Sequence, residues 1–169
     1  MVECDSILYC QMPAQDYTIF WEGTMNNKRS IVLLCSVFLT ACSGSVPKLG
    51  VNSEQLLSCP NTPNCVSSHL TDTLHFIKPL LFVGTAQGAR DRLVQVLTTF
   101  DRTNILDAQE NYIRVEFTSA LFRFVDDVEF YISADYTDEV LINVRSASRI
   151  GLSDLGANRK RIEQIRAQF

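Results

Sequence analysis

Apolar residues change period twice along the chain, and each change marks a different kind of element. Ala89, Leu93, Val96, Leu97 and Phe100 recur at i, i+4, i+7, i+8 and i+11. That spacing draws one apolar stripe down a helix, with Arg90, Asp91 and Gln95 facing away. A short apolar run, Leu80–Val83, precedes the stripe and predicts a strand, and Gly84-Thr85 opens the helix. Beyond residue 105 the period drops to two. Ile113, Val115 and Phe117 fall on one face of a strand over 112–118, and Tyr112, Arg114 and Glu116 fall on the other. Within 121–133, Phe122 and Phe124 alternate, Asp126-Asp127 interrupts, and Val128, Phe130 and Ile132 resume, which predicts a bulge or bend at the acidic pair. A last strand over 139–148 points Val140, Ile142 and Val144 inward and Asn143 and Arg145 outward, with Arg149 just beyond it. The breaks at 109–111 and 135–138 are too short for helical crossovers, so the strands pair antiparallel.

A second helix closes the chain. Gly151 and Gly156 frame a turn in which Ser153 or Asp154 is placed to cap it, and Leu155, Ile162, Ile165 and Phe169 form its inner face. On the helical wheel Asn158 lands amid that apolar face, flanked by Arg159 and Arg166. The expected architecture is α+β: an antiparallel sheet of about four to five strands with two helices packed on one face.

Ahead of these elements the pattern is that of export. Met25-Asn26-Asn27-Lys28-Arg29 is a basic n-region, and Ser30–Leu39 is an apolar h-region too short to span a bilayer. It ends in Leu39-Thr40-Ala41-Cys42, which resembles the lipobox of bacterial lipoproteins, where the cysteine is acylated and the chain is cut ahead of it. Residues 25–41 are therefore read as a lipoprotein signal peptide and Cys42 as the lipidation site. Residues 42–57 are read as a flexible lipidated tether, beginning Ser43-Gly44-Ser45 after the cysteine. In a cell with two membranes, Ser43 beside the acylated cysteine resembles lipoproteins sent to the outer membrane, facing the periplasm. Residues 1–24 are expected to be upstream sequence ahead of the true start at Met25, because a secretory leader begins at its own n-region.

Composition then narrows the partners. The chain of 169 residues is 46% hydrophobic and 20% charged, within ordinary globular limits, and its net charge is -4. From Cys42 onward there are 13 basic and 15 acidic residues. So small an imbalance gives nucleic acid no electrostatic footprint. The expected partners are the membrane, through the Cys42 lipid, and an envelope protein or small anionic ligand. No cofactor is implied.

Three segments are more specific: Cys59–Ser68 (CPNTPNCVSS), Glu116–Phe130 (EFTSALFRFVDDVEF) and Val144–Glu163 (VRSASRIGLSDLGANRKRIE). Together they resemble the family known as domain of unknown function 1499, found in bacterial envelopes and chloroplasts. The resemblance places the domain over residues 58–169. Ala120 and Leu152 depart from the basic and aromatic residues expected there. The family has no assigned reaction, so the resemblance carries over no catalytic residue.

Candidate chemistry rests on the residues themselves. Cys59 and Cys65 lie in an exported, turn-rich segment, which favours a disulfide. The competing reading is a metal site built from Cys59, Cys65, His69 and His75, but five residues between the cysteines is wider than a zinc-finger pair. Asp126-Asp127 invites a hydrolase in which one carboxylate is the acid and the other the nucleophile. Adjacent strand residues point to opposite faces, which favours a structural role beside Arg123, Arg145 or Arg149. No Gly-x-Ser-x-Gly, Walker or dinucleotide motif is present. Asn158 must be hydrogen-bonded on its apolar face, and either holds a strand or loop in place or lines a pocket with Arg159. Arg159, Lys160 and Arg161 sit near the helix N-terminus, where the dipole repels cations. Either Arg159 or Arg161 pairs with Asp126, Asp127 or Glu129, or an anionic ligand sits there. The candidate polar network is thus Asp126, Asp127, Arg145, Arg149, Asp154, Asn158 and Arg159. Its favoured function is a non-catalytic ligand- or partner-binding module, and the alternative is an envelope hydrolase using Asp126 or Asp127 with an arginine.

Overall fold

The computed structural model describes residues 44–133 and 139–169. Cys42, the segment 25–41 expected to be a signal peptide and residues 1–24, expected to be upstream sequence, lie outside the described residues, as do 134–138. The elements run β1 (Val51–Asn52), β2 (Gln55–Leu56), β3 (Cys65–Ser67), β4 (Leu80–Val83), α1 (Ala86–Leu97), β5 (Thr103–Ala108), β6 (Tyr112–Thr118), β7 (Val125–Ser133), β8 (Glu139–Ser148) and α2 (Ala157–Gln168). The class is α+β, as the alternation of periods predicts. Its main sheet has six strands rather than the four to five expected, because β3 forms within the turn-rich 59–68 segment; the order is β3-β8-β7-β6-β5 with β4 also on β8, and every strand pair is antiparallel. A separate two-stranded hairpin joins β1 and β2.

One apolar cluster organises the domain. The stripe of α1 (Ala89, Leu93, Val96, Leu97) and Ile162 and Ile165 of α2 meet Ile113, Val115, Phe117, Val128, Phe130, Ile132, Val140, Ile142 and Val144 of the sheet. These are the inward positions that the period of two selects, so alternation in the sequence fixes the face each residue takes, although β7 and β8 are buried on both faces. Thr85 caps α1, its hydroxyl accepting from the Gly88 N–H at 3.0 Å.

Four local expectations are corrected. The stretch Leu121–Phe124 is not strand but part of a loop over 119–124. Arg123 takes a left-handed φ of 57°, and Ser119 closes the loop by bonding Phe124 through both backbone and hydroxyl. No bulge breaks β7 at Asp126-Asp127, which pair in unbroken register with Phe117 and Glu116. The irregularity lies instead in β5, between Ile105 and Asp107. Leu155 does not join the inner face of α2: it precedes the helix at a φ of 53° and is 97% exposed. Finally, residues 51–56, expected within a tether, form the β1–β2 hairpin, and Leu56 is buried against Tyr112 and Tyr131.

Strand β3 falls in the segment that reads as turn chemistry. It is only three residues long, all buried, and is held to β8 by the pairing of Cys65, Val66 and Ser67 with Ala147, Ser146 and Arg145. Cys59 and Cys65 form a disulfide with their Cα atoms 5.7 Å apart. Both sulfurs are thereby consumed, which removes the thiolates that the metal reading requires. Closing so short a loop restricts the unfolded chain by about 2 kcal/mol. Replacing both cysteines by serine should lower stability by that amount in chemical denaturation, and an unchanged midpoint would show that the hydrogen bonds of the 59–65 loop hold it unaided.

Candidate functional site

Polar residues collect on both faces of the sheet, and the split follows from strand alternation. Asp126 points toward the helices and Asp127 points away, so the two carboxylates do not share a site. Each instead belongs to its own buried network.

On the helix side the hub is Asn158, fully buried in the first turn of α2. Its Oδ1 accepts from the Ser146 hydroxyl at 2.5 Å and from Arg161 Nη1 at 2.8 Å. Its Nδ2 donates to the Asn64 carbonyl and to the Ser148 hydroxyl, both at 3.0 Å. Arg161 continues to Asp126, with Nη2 2.5 Å from Oδ2, and its guanidinium lies 4.8 Å from the centroid of the Phe117 ring. Asn64 in turn donates to the Gly151 carbonyl at 2.7 Å. The Asn158 amide therefore joins α2, β8 and the disulfide loop, and the Asn64 amide extends the link to the turn after β8. Asp154 completes the helix start. Gly156 is the N-cap and has no side chain, so the Asp154 carboxylate accepts from the Gly156 and Asn158 N–H groups, at 3.0 and 2.8 Å.

The opposite face carries three arginines and three carboxylates. Asp127 accepts from Arg149 at both oxygens, Nε at 2.7 Å and Nη2 at 2.9 Å, and from Arg114 Nη2 at 2.8 Å. Arg149 also bonds Glu116. Glu129, wholly buried, accepts from the Tyr112 hydroxyl at 2.8 Å, the Gly50 N–H at 3.0 Å and Arg145 Nη1 at 3.2 Å. Burial pushes the Asp127 carboxyl upward, but hydrogen bonds from Arg149 and Arg114 outweigh it, leaving it below the usual carboxylate range. For Glu129 burial prevails over its bonds and holds the carboxyl above that range. Hydrogen bonding to Asp127 holds the Arg149 guanidinium all the more firmly in its charged form.

An N-terminal arm crosses this polar face. A Cβ built on Gly44 would lie 3.0 Å from Arg149 Cβ and from Ile150 Cγ2, the Gly50 N–H reaches Glu129, and Leu56 covers Tyr112 and Tyr131. Gly44, with φ of 71°, is the residue that a left-handed conformation in so tight a space requires. Two guanidinium nitrogens, Arg114 Nε and Arg145 Nε, are buried on this face without a partner among the described residues.

The candidate residues thus divide. Asp127, Arg145 and Arg149 share the outer network, while Asp126, Asp154 and Asn158 share the inner one. Arg159 belongs to neither. It donates to the Phe76 and Leu74 carbonyls, at 2.7 and 2.9 Å, beside a groove that Lys78, Glu163 and Arg166 also line. The expected carboxylate pairing of this basic run is made by Arg161 alone. Arg123 and Arg145 likewise make no pair with Asp126 or Asp127, whose partners are Arg161, Arg114 and Arg149; Arg145 pairs with Glu129 instead. Arg114 and Glu116 are not among the candidates, although the period of two places them on the face opposite Ile113, and Glu129, a candidate partner of Arg159 or Arg161, pairs with Arg145 instead. What the alternation does not reveal is that an arm distant in the chain covers them: Gly50 and Glu129 are 79 residues apart.

Chemically, Asp126, Asp127, Glu116 and Glu129 are each engaged by an arginine, and the buried groups left over in the two networks are guanidinium N–H donors. Among the described residues, no group of three or more His, Cys, Asp or Glu side chains is arranged to hold a metal ion. His75 is buried and occupied by Asp72, 2.8 Å from Nδ1. Over residues 55–169 the chain matches the family described as Protein of unknown function (DUF1499). No curated protein matches it.

Proposed function

We propose, from the premise that the chain belongs to the DUF1499 family, that it is a lipoprotein of the cell envelope, anchored through an acyl group on Cys42, whose domain binds a partner or small ligand without catalysis. The observation that carries the non-catalytic half is the engagement of the carboxylates: Asp126 is held by Arg161, and Asp127 by Arg149 and Arg114. A general acid needs a raised carboxyl facing substrate. Asp127 is lowered instead, and Glu129, the raised one, lies under the arm with no exposed surface. The buried N–H groups left over on Arg114 and Arg145 supply donors for a small polar ligand and favour binding.

The anchor half rests on the order of basic n-region, short h-region and Leu39-Thr40-Ala41-Cys42. Among the described residues, no helix is long and apolar enough to cross a membrane. Outer-membrane placement in a two-membraned cell follows from Ser43. Cys42→Ser should abolish labelling by a fatty-acid analogue and move the protein from the membrane to the soluble fraction. Undiminished labelling and membrane retention in that variant would contradict the reading.

A further inference from the structure

The loops at one end of the sheet carry a concentration of exposed apolar side chains. Leu155 is 97% exposed, Leu121 79%, Leu152 75%, Phe122 63% and Phe124 45%, and the two phenylalanine rings stack on each other with centroids 5.4 Å apart. These residues come from two loops, 119–124 and 149–156, which the fold brings to the same end. Ser148 pairs with Asp126, and the Arg149 N–H donates to the Val125 carbonyl, so the turn after β8 leaves the sheet beside the loop that enters β7. The disulfide loop reaches this end as well, through Asn64 and Gly151. Apolar groups of this size, clustered and without a hydrogen-bonding role, mark an interaction surface.

The course of the arm indicates what meets that surface. Gly44 packs on Arg149 and Ile150, at the root of the 149–156 loop. Cys42 is two residues further back, and two residues span at most about 7 Å of extended chain. We infer that the Leu121–Phe124 loop and the Leu152–Leu155 turn form a membrane-docking face, lying against the bilayer into which the Cys42 acyl chains insert. The inference rests on the anchor reading and adds an orientation to it: the domain does not swing on a long tether but stands on the bilayer on this end. Exposed Arg102 and Arg123 lie at the same end, with Arg123 between the two phenylalanines, and meet anionic headgroups there. The opposing charges are exposed Asp101 and half-buried Asp154, whose carboxylate is turned to the Gly156 and Asn158 N–H groups. Aromatic and leucine side chains beside cations are the composition of an interfacial anchor.

Tryptophan quenching tests the orientation. Trp21 is the sole tryptophan of the chain and precedes Cys42, so a processed protein carries only an introduced one. Phe122→Trp places an indole on the proposed face. Val83→Trp, exposed on β4 where it pairs with Glu139 at the far end of β8, is the control. The full chain is processed in cells, purified with its anchor and reconstituted into vesicles of phosphatidylethanolamine and phosphatidylglycerol with brominated acyl chains. Fluorescence of Phe122→Trp should fall severalfold more than that of Val83→Trp. Equal, weak quenching of both in vesicle-bound protein would overturn the docking face, as would a dimer of the Phe122→Trp variant that buries the introduced indole and shows no bromine quenching. The intact mass of the same sample reports the acyl chains separately, so the anchor and the face can each fail alone.

Discussion

Asp127→Ala lowers the stability of the domain by about 3–5 kcal/mol, because it leaves Arg149 and Arg114 charged and desolvated without the carboxylate that both address. The side chains of Asp127 and Arg149 are 2% and 5% exposed, so water cannot replace the missing charge. Glu116 remains beside Arg149 and moderates the loss. The same circuit sets a pH dependence. The folded-state value of Asp127 is depressed, so its contribution is fully present above the ordinary aspartate value near about 4 and is lost as pH falls through the lower folded value. Glu129 works in the opposite sense: its value is raised, so its contribution is present at low pH and is lost as pH rises through the folded value. The stability gap between the wild type and Asp127→Asn should therefore be constant from neutral pH down to about 5 and close below about 4. Urea denaturation across that range measures it. A gap that widens on acidification would show that the paired, ionised carboxylate is not what stabilises this face.

Asn158→Leu is expected to destabilise by about 2–4 kcal/mol despite the similar volume of the new side chain and its apolar surroundings. The leucine leaves the buried Ser146 O–H without its acceptor, although Arg161 Nη1 still reaches the Ser146 oxygen at 3.4 Å, and removes a charge-assisted bond to Arg161; each unsatisfied group costs about 1–3 kcal/mol. It also unties the disulfide loop from α2, since the Asn64 carbonyl then keeps only the Ser148 N–H. Chemical denaturation gives the magnitude, and amide exchange gives the place: protection should fall at Ser148 and in the first turn of α2 before it falls in β6. A change below about 1 kcal/mol would mean that Asn158 is not the hub and that Arg161–Asp126 holds the helix alone.

The helix stripe and the inward strand positions were legible because burial in a two-layer fold follows period, and period is written in the residues. Asn158 stood out for the same reason, as a polar residue at a buried phase of the wheel. Conformation set by a single backbone torsion was not legible: Phe122 and Phe124 alternate as a strand does, but Arg123 turns left-handed and ends it. Strand β3 is not legible in its own residues because its pairing depends on β8, far along the chain, and not on local propensity. The polar network on the second face was half visible. By alternation Arg114, Glu116, Asn143 and Arg145 belong to an outward face, which in a single-layer reading means solvent, and the long-range contacts of Gly44, Gly50 and Leu56 turn it into an interior. The residues of a tether, small and polar, are also those that lie flat along a sheet, so composition did not separate a flexible arm from a docked one.

The intact mass of the protein purified from membranes tests the central claim most directly. The account predicts a chain that begins at Cys42 and carries diacylglycerol on its sulfur, with no peptide from residues 1–41. A mass that retains the Leu39-Thr40-Ala41 segment, or that shows Cys42 unmodified, would contradict it.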